Sequence, residues 1–215
     1  MKSILVIGLG LFGGHLAEKL TQLGNEVMVI DKDEELVNKL SDRATSAQIG
    51  DCMNSEVIKS LGVSNFDICF VCTADFQASL EITSLLKENG AKLVISKTDS
   101  SLHAKFLSKI GADEIIYPER DMAVRAAVRY SAKNAFDYIK VSDDYALMEI
   151  EIPGSWKDKS LAELDIRKKH NVNVIGKKLD GKMLPVTGTG EKFCAGDHVV
   201  LAGSNKDLIA ISAAK

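Results

Sequence analysis

Residues 2–31 constrain the fold of this chain more than any other stretch. An apolar run, SILVIG, leads into GLGLFGG, then come an amphipathic segment, a second apolar run, EVMVI, and Asp31. A strand feeding Gly8-x-Gly10-x-x-Gly13 into a helix brings the backbone close to a pyrophosphate, which the first helical N–H groups and the helix dipole then hold. Asp31 follows Gly13 by 18 residues. It stands at the end of the second strand, where a carboxylate accepts both hydroxyl protons of an adenosine ribose and repels a 2′-phosphate. Glycines alone describe many ligand-free turns; strand, glycines, helix, strand and acid in this order are far more specific.

At 215 residues with 46% apolar side chains, the chain suits one large domain, or a standard domain plus a small one. The net charge of −3 comes from 27 basic and 30 acidic residues without long blocks, so no electrostatic footprint for nucleic acid is present. No basic segment precedes the first strand, and the apolar runs fall well short of the ~20 residues that span a bilayer, so a soluble, cytoplasmic protein without membrane insertion is expected. Four cysteines are too few for a disulfide-stapled scaffold. Cys69 and Cys72 have redox-pair spacing, but on a strand residues three apart face opposite sides, so both are expected as reduced core thiols.

Strand-like runs recur at 3–8, 26–30, 44–49, 67–72, 92–96 and 114–117, separated by helix-period segments near 12–23, 33–41, 54–61, 75–89 and 100–110. Such alternation implies right-handed βαβ units and a doubly wound parallel sheet, an α/β domain of Rossmann type. Gly8 and Gly10 end the first strand, Asp31 the second, Asp51 the third, Thr73 the fourth and Lys97 the fifth. Ligands bind at the carboxyl rim of such sheets, so these residues point to a nucleotide cleft. Asp51 could instead introduce the next helix, for which Asn54 or Ser55 is the better N-cap. Thr73 could simply turn the chain, and Lys97 could be a solvated charge.

After Tyr117 the alternation stops. PERDMAVRAAVRYSAKNAF reads as one helix with Pro118 in its first turn, and its apolar residues cover more than one face, so it must pack on something, a second subunit being one candidate. A linker is expected near 134–141. Beyond it, YALMEIEIPG reads as a strand, SLAELDIRKKH as a helix opening at Ser160, NVNVIGKKLDGKMLPV as a hairpin turning at Asp180-Gly181, DHVVLAG as a strand and NKDLIAISAA as a closing helix. The expected domains are therefore 1–134, Rossmann-type and ending in the long helix, and 142–215, a small α+β domain.

The glycine fingerprint suggests a dehydrogenase, which would need a proton-transfer residue and a substrate pocket. His15, His103, His170 and His198 fall in no catalytic motif, and no Walker, zincin or nucleophile-elbow pattern occurs. Binding without turnover is the leading reading, and an NAD-dependent oxidoreductase is its alternative.

Four stretches together resemble one family: GLGLFGG at 8–14, IGDCMNSEVIKSLGVSNFD at 49–67, FQASLEITSLLKENG at 76–90 and KIGADEIIYPERDMAVR at 109–125. They are similar to the cytoplasmic regulatory subunits of Trk and Ktr potassium uptake systems, in which an RCK (KTN) domain precedes a small TrkA-C domain. The resemblance covers nearly the whole chain, and Ala-Asp-x-Ile-Ile-x-Pro-Glu is its most specific segment. It implies homodimers assembling into an octameric ring beneath a membrane potassium-translocating subunit, at the inner face of the cell membrane, with the helix after Tyr117 crossing to the neighbouring subunit. Nucleotide in the clefts, ATP, ADP or NAD(H), would change the shape of the ring.

Carried over by the same resemblance, Gly8, Gly10 and Gly13 hold phosphates, Asp31 the ribose, Asp51 and Thr73 the adenosine neighbourhood, and Lys97 a phosphate or the ribose. Their neighbours Phe12, Lys32, Cys52 and Ala74 complete the binding set. Glu119 matches an acid that helps to hold a divalent cation between subunits in Ktr-type members; its other reading is a helix-opening acid beside the N-terminal dipole. One departure stands out. Leu11 occupies the position where ATP-responsive members carry arginine, and leucine offers a terminal phosphate neither charge nor hydrogen bond. In the C-terminal domain, LDIRKKHNVNVI at 164–175 is similar to a cyclic di-AMP-binding segment of some members. That likeness implies Arg167 on a phosphate, Asn173 on an adenine edge or phosphate, Ile166 and Val174 on the purine faces and Pro185 nearby. A basic helix end facing its own C-terminal dipole is the other reading of RKKH, and a cyclic di-AMP sensor serving another partner is a further alternative.

Overall fold

The computed structural model describes residues 1–131, 134–179, 181–186, 188 and 190–213. They form two compact units, Met1–Arg120 and Asp121–Lys215.

In the N-terminal unit, β1 (Ser3–Ile7), α1 (Leu11–Gln22), β2 (Glu26–Asp31), α2 (Glu34–Leu40), β3 (Ser46–Ile49), α3 (Ser55–Leu61), β4 (Ile68–Val71), α4 (Phe76–Glu88), β5 (Val94–Lys97), α5 (Ser101–Lys109) and β6 (Glu114–Ile116) alternate as the sequence implies. The sheet order is β3-β2-β1-β4-β5-β6, and every neighbouring pair is parallel. This is the expected doubly wound α/β sheet, with its switch point between β1 and β4. Both faces of β1 are buried. Ile4 and Val6 pack with Ala17 of α1 and with Val37 and Leu40 of α2, while Leu5 and Ile7 pack with Ile58 of α3 and with Ile82 and Leu86 of α4. Burial on two faces explains why these strands read as unbroken apolar runs. Cys69 and Cys72 fall in the cores on opposite faces and both are free thiols, as their spacing on a strand requires. Burial pushes each up to about 12, so neither is a thiolate near neutral pH.

A further helix, α6 (Pro118–Ser131), spans the boundary between the units and buries none of its side chains fully; Met122, Val124 and Tyr130 are exposed. It ends before the sequence reading placed it, because residues 135–140, expected as a linker, form β7 (Ala135–Lys140). The C-terminal unit continues with β8 (Tyr145–Glu151), α7 (Leu161–Leu164), α8 (Ile166–His170), β9 (Asn173–Leu179), β10 (Lys182–Pro185), β11 (His198–Ser204) and α9 (Asn205–Ser212). Its antiparallel sheet has the order β10-β9-β11-β8-β7. The expected Asp180-Gly181 turn includes Asp180, which lies outside the described residues.

SLAELDIRKKH is two helices rather than one. Ser160 and Glu163 form a reciprocal capping box at the start of α7, and Asp165, at φ +47°, separates α7 from α8. Leu164 and Ile166 are both in the core. In one continuous helix residues two apart point about 200° from each other, so burying both demands the break.

Candidate functional site

The strand-to-helix turn after β1 leaves no freedom at two glycines. Gly8 sits at φ +90°, and a Cβ on it would lie 2.7 Å from the backbone nitrogen of Thr73; a Cβ on Gly13 would collide with the carbonyl oxygen of Gly8. Gly10 differs. It is the N-cap of α1, makes no side-chain cap, and has open space where a Cβ would stand. No side chain caps the first N–H groups of α1, the kind of helix end that can receive an anion.

Asp31 ties the rim together. Its Oδ2 accepts the Leu9 N–H at 2.6 Å and its Oδ1 the Asp33 N–H at 3.0 Å. Its own carbonyl oxygen accepts the Gly50 N–H at 2.9 Å, and the Ile30 carbonyl accepts the Gly8 N–H at 3.0 Å. An ionised carboxylate has about four acceptor positions, so two remain for ribose hydroxyls. Asp51 accepts the Met53 N–H at 3.0 Å through Oδ1, while Asn54, not Asp51, caps α3. Thr73 Oγ1 accepts the Asp75 N–H at 3.3 Å, and Asp75 in turn caps α4 through the Ala78 N–H at 2.7 Å.

Several of these groups line a small solvent-open cleft of about 70 Å³ at the carboxyl rim. Of the expected binding set, Gly8, Asp31, Lys32, Asp51, Cys52 and Thr73 line it together. Gly10 and Leu11 border a neighbouring groove between α1 and α2, and Leu11 is 89% exposed. Phe12 packs against the core beneath α1 and α2. Gly13 is buried behind the turn and Ala74 is exposed beside Thr73. Sequence reasoning passed over Met53, Asp75 and Ala78, which also line the cleft. Asp75 carried a usable signal, an Asp immediately ahead of a helix-period run. The Cys52 thiol, pushed up to about 12 chiefly by burial and then by Asp51 and Asp31, contributes shape rather than nucleophilicity.

Lys97 and Glu119 meet outside the cleft lining. Lys97 Nζ lies 2.6 Å from Glu119 Oε1, and the Lys97 side chain is only 15% exposed. The ammonium group bonded to Glu119 holds its carboxyl below the usual carboxylate range. The pair joins the end of β5 to the first turn of α6. No group of three or more His, Cys, Asp or Glu placed to hold a metal occurs among the described residues. None of the four histidines lines the cleft.

In the C-terminal unit, Arg167 on α8 and Asn173 at the start of β9 are exposed, and Val174 is half-buried against the core. Pro185 pairs with Gly176 across β10 and β9. Ile166 is 4% exposed and lies within the core, so its side chain is not presented at the surface.

The TrkA-N domain family matches residues 4–118 and the TrkA-C domain family residues 147–214. The chain is 38% identical to Ktr system potassium uptake protein C of Bacillus subtilis over 96% of its own length and 94% of that protein's. Ktr system potassium uptake protein A of the same organism is 36% identical with the same coverage. Among solved structures, the GsuK channel superposes on 97% of this chain with a TM-score of 0.70 at 17% identity, and the GsuK channel bound to NAD on 98% with a TM-score of 0.66. This chain spans 38% of each of those channel chains. No helix of the described residues is long and apolar enough to cross a membrane.

Proposed function

This chain belongs to the family of Ktr- and Trk-type potassium uptake proteins built from a TrkA-N and a TrkA-C domain, and from that premise we propose that it is a cytoplasmic, non-enzymatic regulatory subunit. It binds an adenine nucleotide at the carboxyl rim of its N-terminal sheet and gates a membrane potassium-translocating subunit. The observation that carries this reading is the glycine turn after β1, which admits no side chain at Gly8 or Gly13, beside a cleft lined by Gly8, Asp31, Asp51 and Thr73 in which Asp31 is bonded to the Leu9 N–H. The same fold holds NAD in one GsuK structure and ADP in another. The cleft lining holds no histidine, and its buried thiol is protonated near neutral pH.

Gating then needs no turnover. A nucleotide that prefers one of two assembly shapes moves their equilibrium by its difference in affinity for them. The assembly is a homodimer-based octameric ring held at the inner face of the membrane by its channel partner, with α6 as the crossover helix; the exposed Met122, Val124 and Tyr130 support that role. A second ligand, cyclic di-AMP, binds the C-terminal unit through Arg167, Asn173, Val174 and Pro185, above Ile166 in the core. Asp31, Thr73 and Lys97 contact the nucleotide, and Glu119 contributes through Lys97 or through a divalent cation.

Calorimetric titration with ATP, ADP, NAD, NADH and cyclic di-AMP, with cofactor consumption followed alongside, tests the reading. Saturable binding without turnover is the expected result. Consumption of NADH would replace the regulatory subunit with an oxidoreductase.

A further inference from the structure

Side-chain bonds of the C-terminal unit converge on the first turn of α9. Ser204 caps that helix by accepting the Asp207 N–H at 3.1 Å, and its hydroxyl donates to Asp207 Oδ2 at 2.7 Å. The same Oδ2 accepts a hydrogen bond from Asn171 Nδ2 at 3.0 Å. Asn171 closes α8: it stands at φ +55°, and its N–H reaches the Arg167 carbonyl at 3.1 Å. On the other side of the turn, Asn205 Oδ1 accepts the Tyr138 hydroxyl at 2.8 Å, while its Nδ2 donates to the Asp143 carbonyl at 3.0 Å. Tyr138 is buried in β7, and its N–H donates to Asp137 Oδ1, the carboxylate onto which Arg125 of α6 forks. A continuous series of bonded residues thus runs from α8, through α9, to α6. At its α8 end little else holds the chain. α8 has five residues, one of them buried, Ile166, and lies between two left-handed residues, Asp165 and Asn171. So short a helix has little stability of its own, and non-glycine residues in that conformation persist only where their surroundings hold them.

Resting on the cyclic di-AMP reading above, we propose that the first turn of α9 is a relay, which positions α8 for its ligand and couples occupancy of α8 to the hold of β7 on α6. Asn171, Asp207, Asn205 and Tyr138 are its positioning residues and act through Arg167 at one end and Arg125 at the other. A ligand that fixes α8 fixes the turn, and with it Tyr138 and the Arg125–Asp137 fork. By reciprocity, loss of the fork loosens α8 and weakens the ligand.

The test is amide hydrogen exchange and calorimetry on the full chain. Asn171→Gly keeps the left-handed backbone and cuts the tether to Asp207; Tyr138→Phe removes one hydroxyl from the middle of the series. Each should speed exchange in β7 and around Arg125 in α6, and leave β10, at the opposite edge of the sheet, and the N-terminal unit at the parent rates. Unchanged exchange at α6 in both variants overturns the proposal. So does acceleration that reaches β10 equally, which is general loosening. On titration of the parent chain, cyclic di-AMP should slow exchange at α6. Arg125→Ala should weaken cyclic di-AMP about threefold, and should have no further effect once Tyr138→Phe has cut the relay. Losses that add independently overturn the coupling. If cyclic di-AMP does not bind the parent chain, the reading of the α8 site falls, while the exchange rates of Asn171→Gly and Tyr138→Phe still decide the relay.

Discussion

The N-terminal unit buries both faces of its sheet under helices, whereas the C-terminal unit buries one face and leaves ion pairs on the other. In the first, Leu5 and Ile7 point one way and Ile4 and Val6 the other, each into a core, and polar groups gather at the carboxyl rim. In the second, Met148, Ile150, Val199 and Leu201 form the core with Trp156 and Phe193. Alternating with them, Glu149 accepts hydrogen bonds from Lys178 Nζ and lies 2.9 Å from His198 Nδ1. The difference teaches where each unit is fragile. A parallel sheet covered on both sides fails when backbone meets backbone at its tight turn, and an antiparallel sheet with an open face fails gradually, by loss of charge pairing. The chain has a single tryptophan, buried Trp156, so its fluorescence reports the C-terminal unit alone while circular dichroism reports both.

The largest expected effect breaks the N-terminal unit without touching the other. In a helix interior Gly→Ala ordinarily stabilises by about 1 kcal/mol. At Gly13 the new methyl meets the Gly8 carbonyl, a backbone atom that cannot rotate away, so Gly13→Ala should cost about 3 kcal/mol or more and abolish nucleotide binding. A side-chain collision in the C-terminal unit offers the comparison: at Gly203 a Cβ would lie 2.7 Å from Val172 Cγ1. Gly203→Ala should cost about 1–2 kcal/mol, read by Trp156 fluorescence in urea. Equal losses for the two would erase the contrast between backbone and side-chain collisions.

Asp31→Ala comes next. It orphans the Leu9 N–H and the Asp33 N–H, and leaving such donors unpaired costs about 1–3 kcal/mol when they are shielded from water. Adenine-nucleotide affinity should fall at least tenfold, roughly 1.4 kcal/mol, while cyclic di-AMP binding to the C-terminal unit stays unchanged. Arg167→Ala should do the converse. A joint loss of both affinities in either variant would contradict two separate sites.

Acid should separate the units. Burial pushes the His103 imidazole below its ordinary value, against the opposing pull of Asp99. Its side chain is packed beside Phe76, and its Nε2 has no partner. The unfolded chain thus takes up the proton first. Stability from this residue is full above pH about 6.5 and is lost as pH falls toward the folded value. Glu149 behaves alike at lower pH: burial raises it, but hydrogen bonds from Lys178 and His198 hold it below its ordinary value, so its contribution is lost only as pH falls below about 4.5. Between pH 6.5 and 4.5 the melting temperature of the N-terminal unit should drop by a few degrees while the Trp156 transition holds. His103→Phe should flatten that drop.

The same contrast explains what could be read from the sequence. Strands buried on both faces, β1 above all, announce themselves as apolar runs; all six parallel strands stand within two residues of their expected bounds, although β3 and β6 bury no residue fully. β7 was hidden because it is an edge strand with one fully buried residue, Tyr138, and its AFDYIK pattern continues the polar mixture of the preceding helix. The break at Asp165 was hidden because nothing local shows that Leu164 and Ile166 share a core. At the site, glycines and Asp31 were legible because their roles are backbone roles at fixed spacing. The pairing of Lys97 with Glu119 was not, since it joins residues brought together by the crossover from β5 to α6.

The smallest effect tests whether the open face and its flank rest on charge. Arg125 forks onto Asp137, Nε to Oδ1 at 2.9 Å and Nη2 to Oδ2 at 2.7 Å, fastening α6 to β7 within the C-terminal unit. The fork holds the Asp137 carboxyl below its usual range. The Arg125 side chain is 44% exposed, so solvent screening keeps the pair's contribution small despite its geometry. Arg125→Ala should therefore lower the urea midpoint of the Trp156 transition slightly. Salt of about 0.5 M, where the screening length falls to a few ångströms, should shrink the difference from the parent chain. A loss of several kcal/mol that salt leaves intact would mean that α6 is fastened by packing. The contrast between an apolar N-terminal unit and a charge-stabilised C-terminal one would then not extend to that helix.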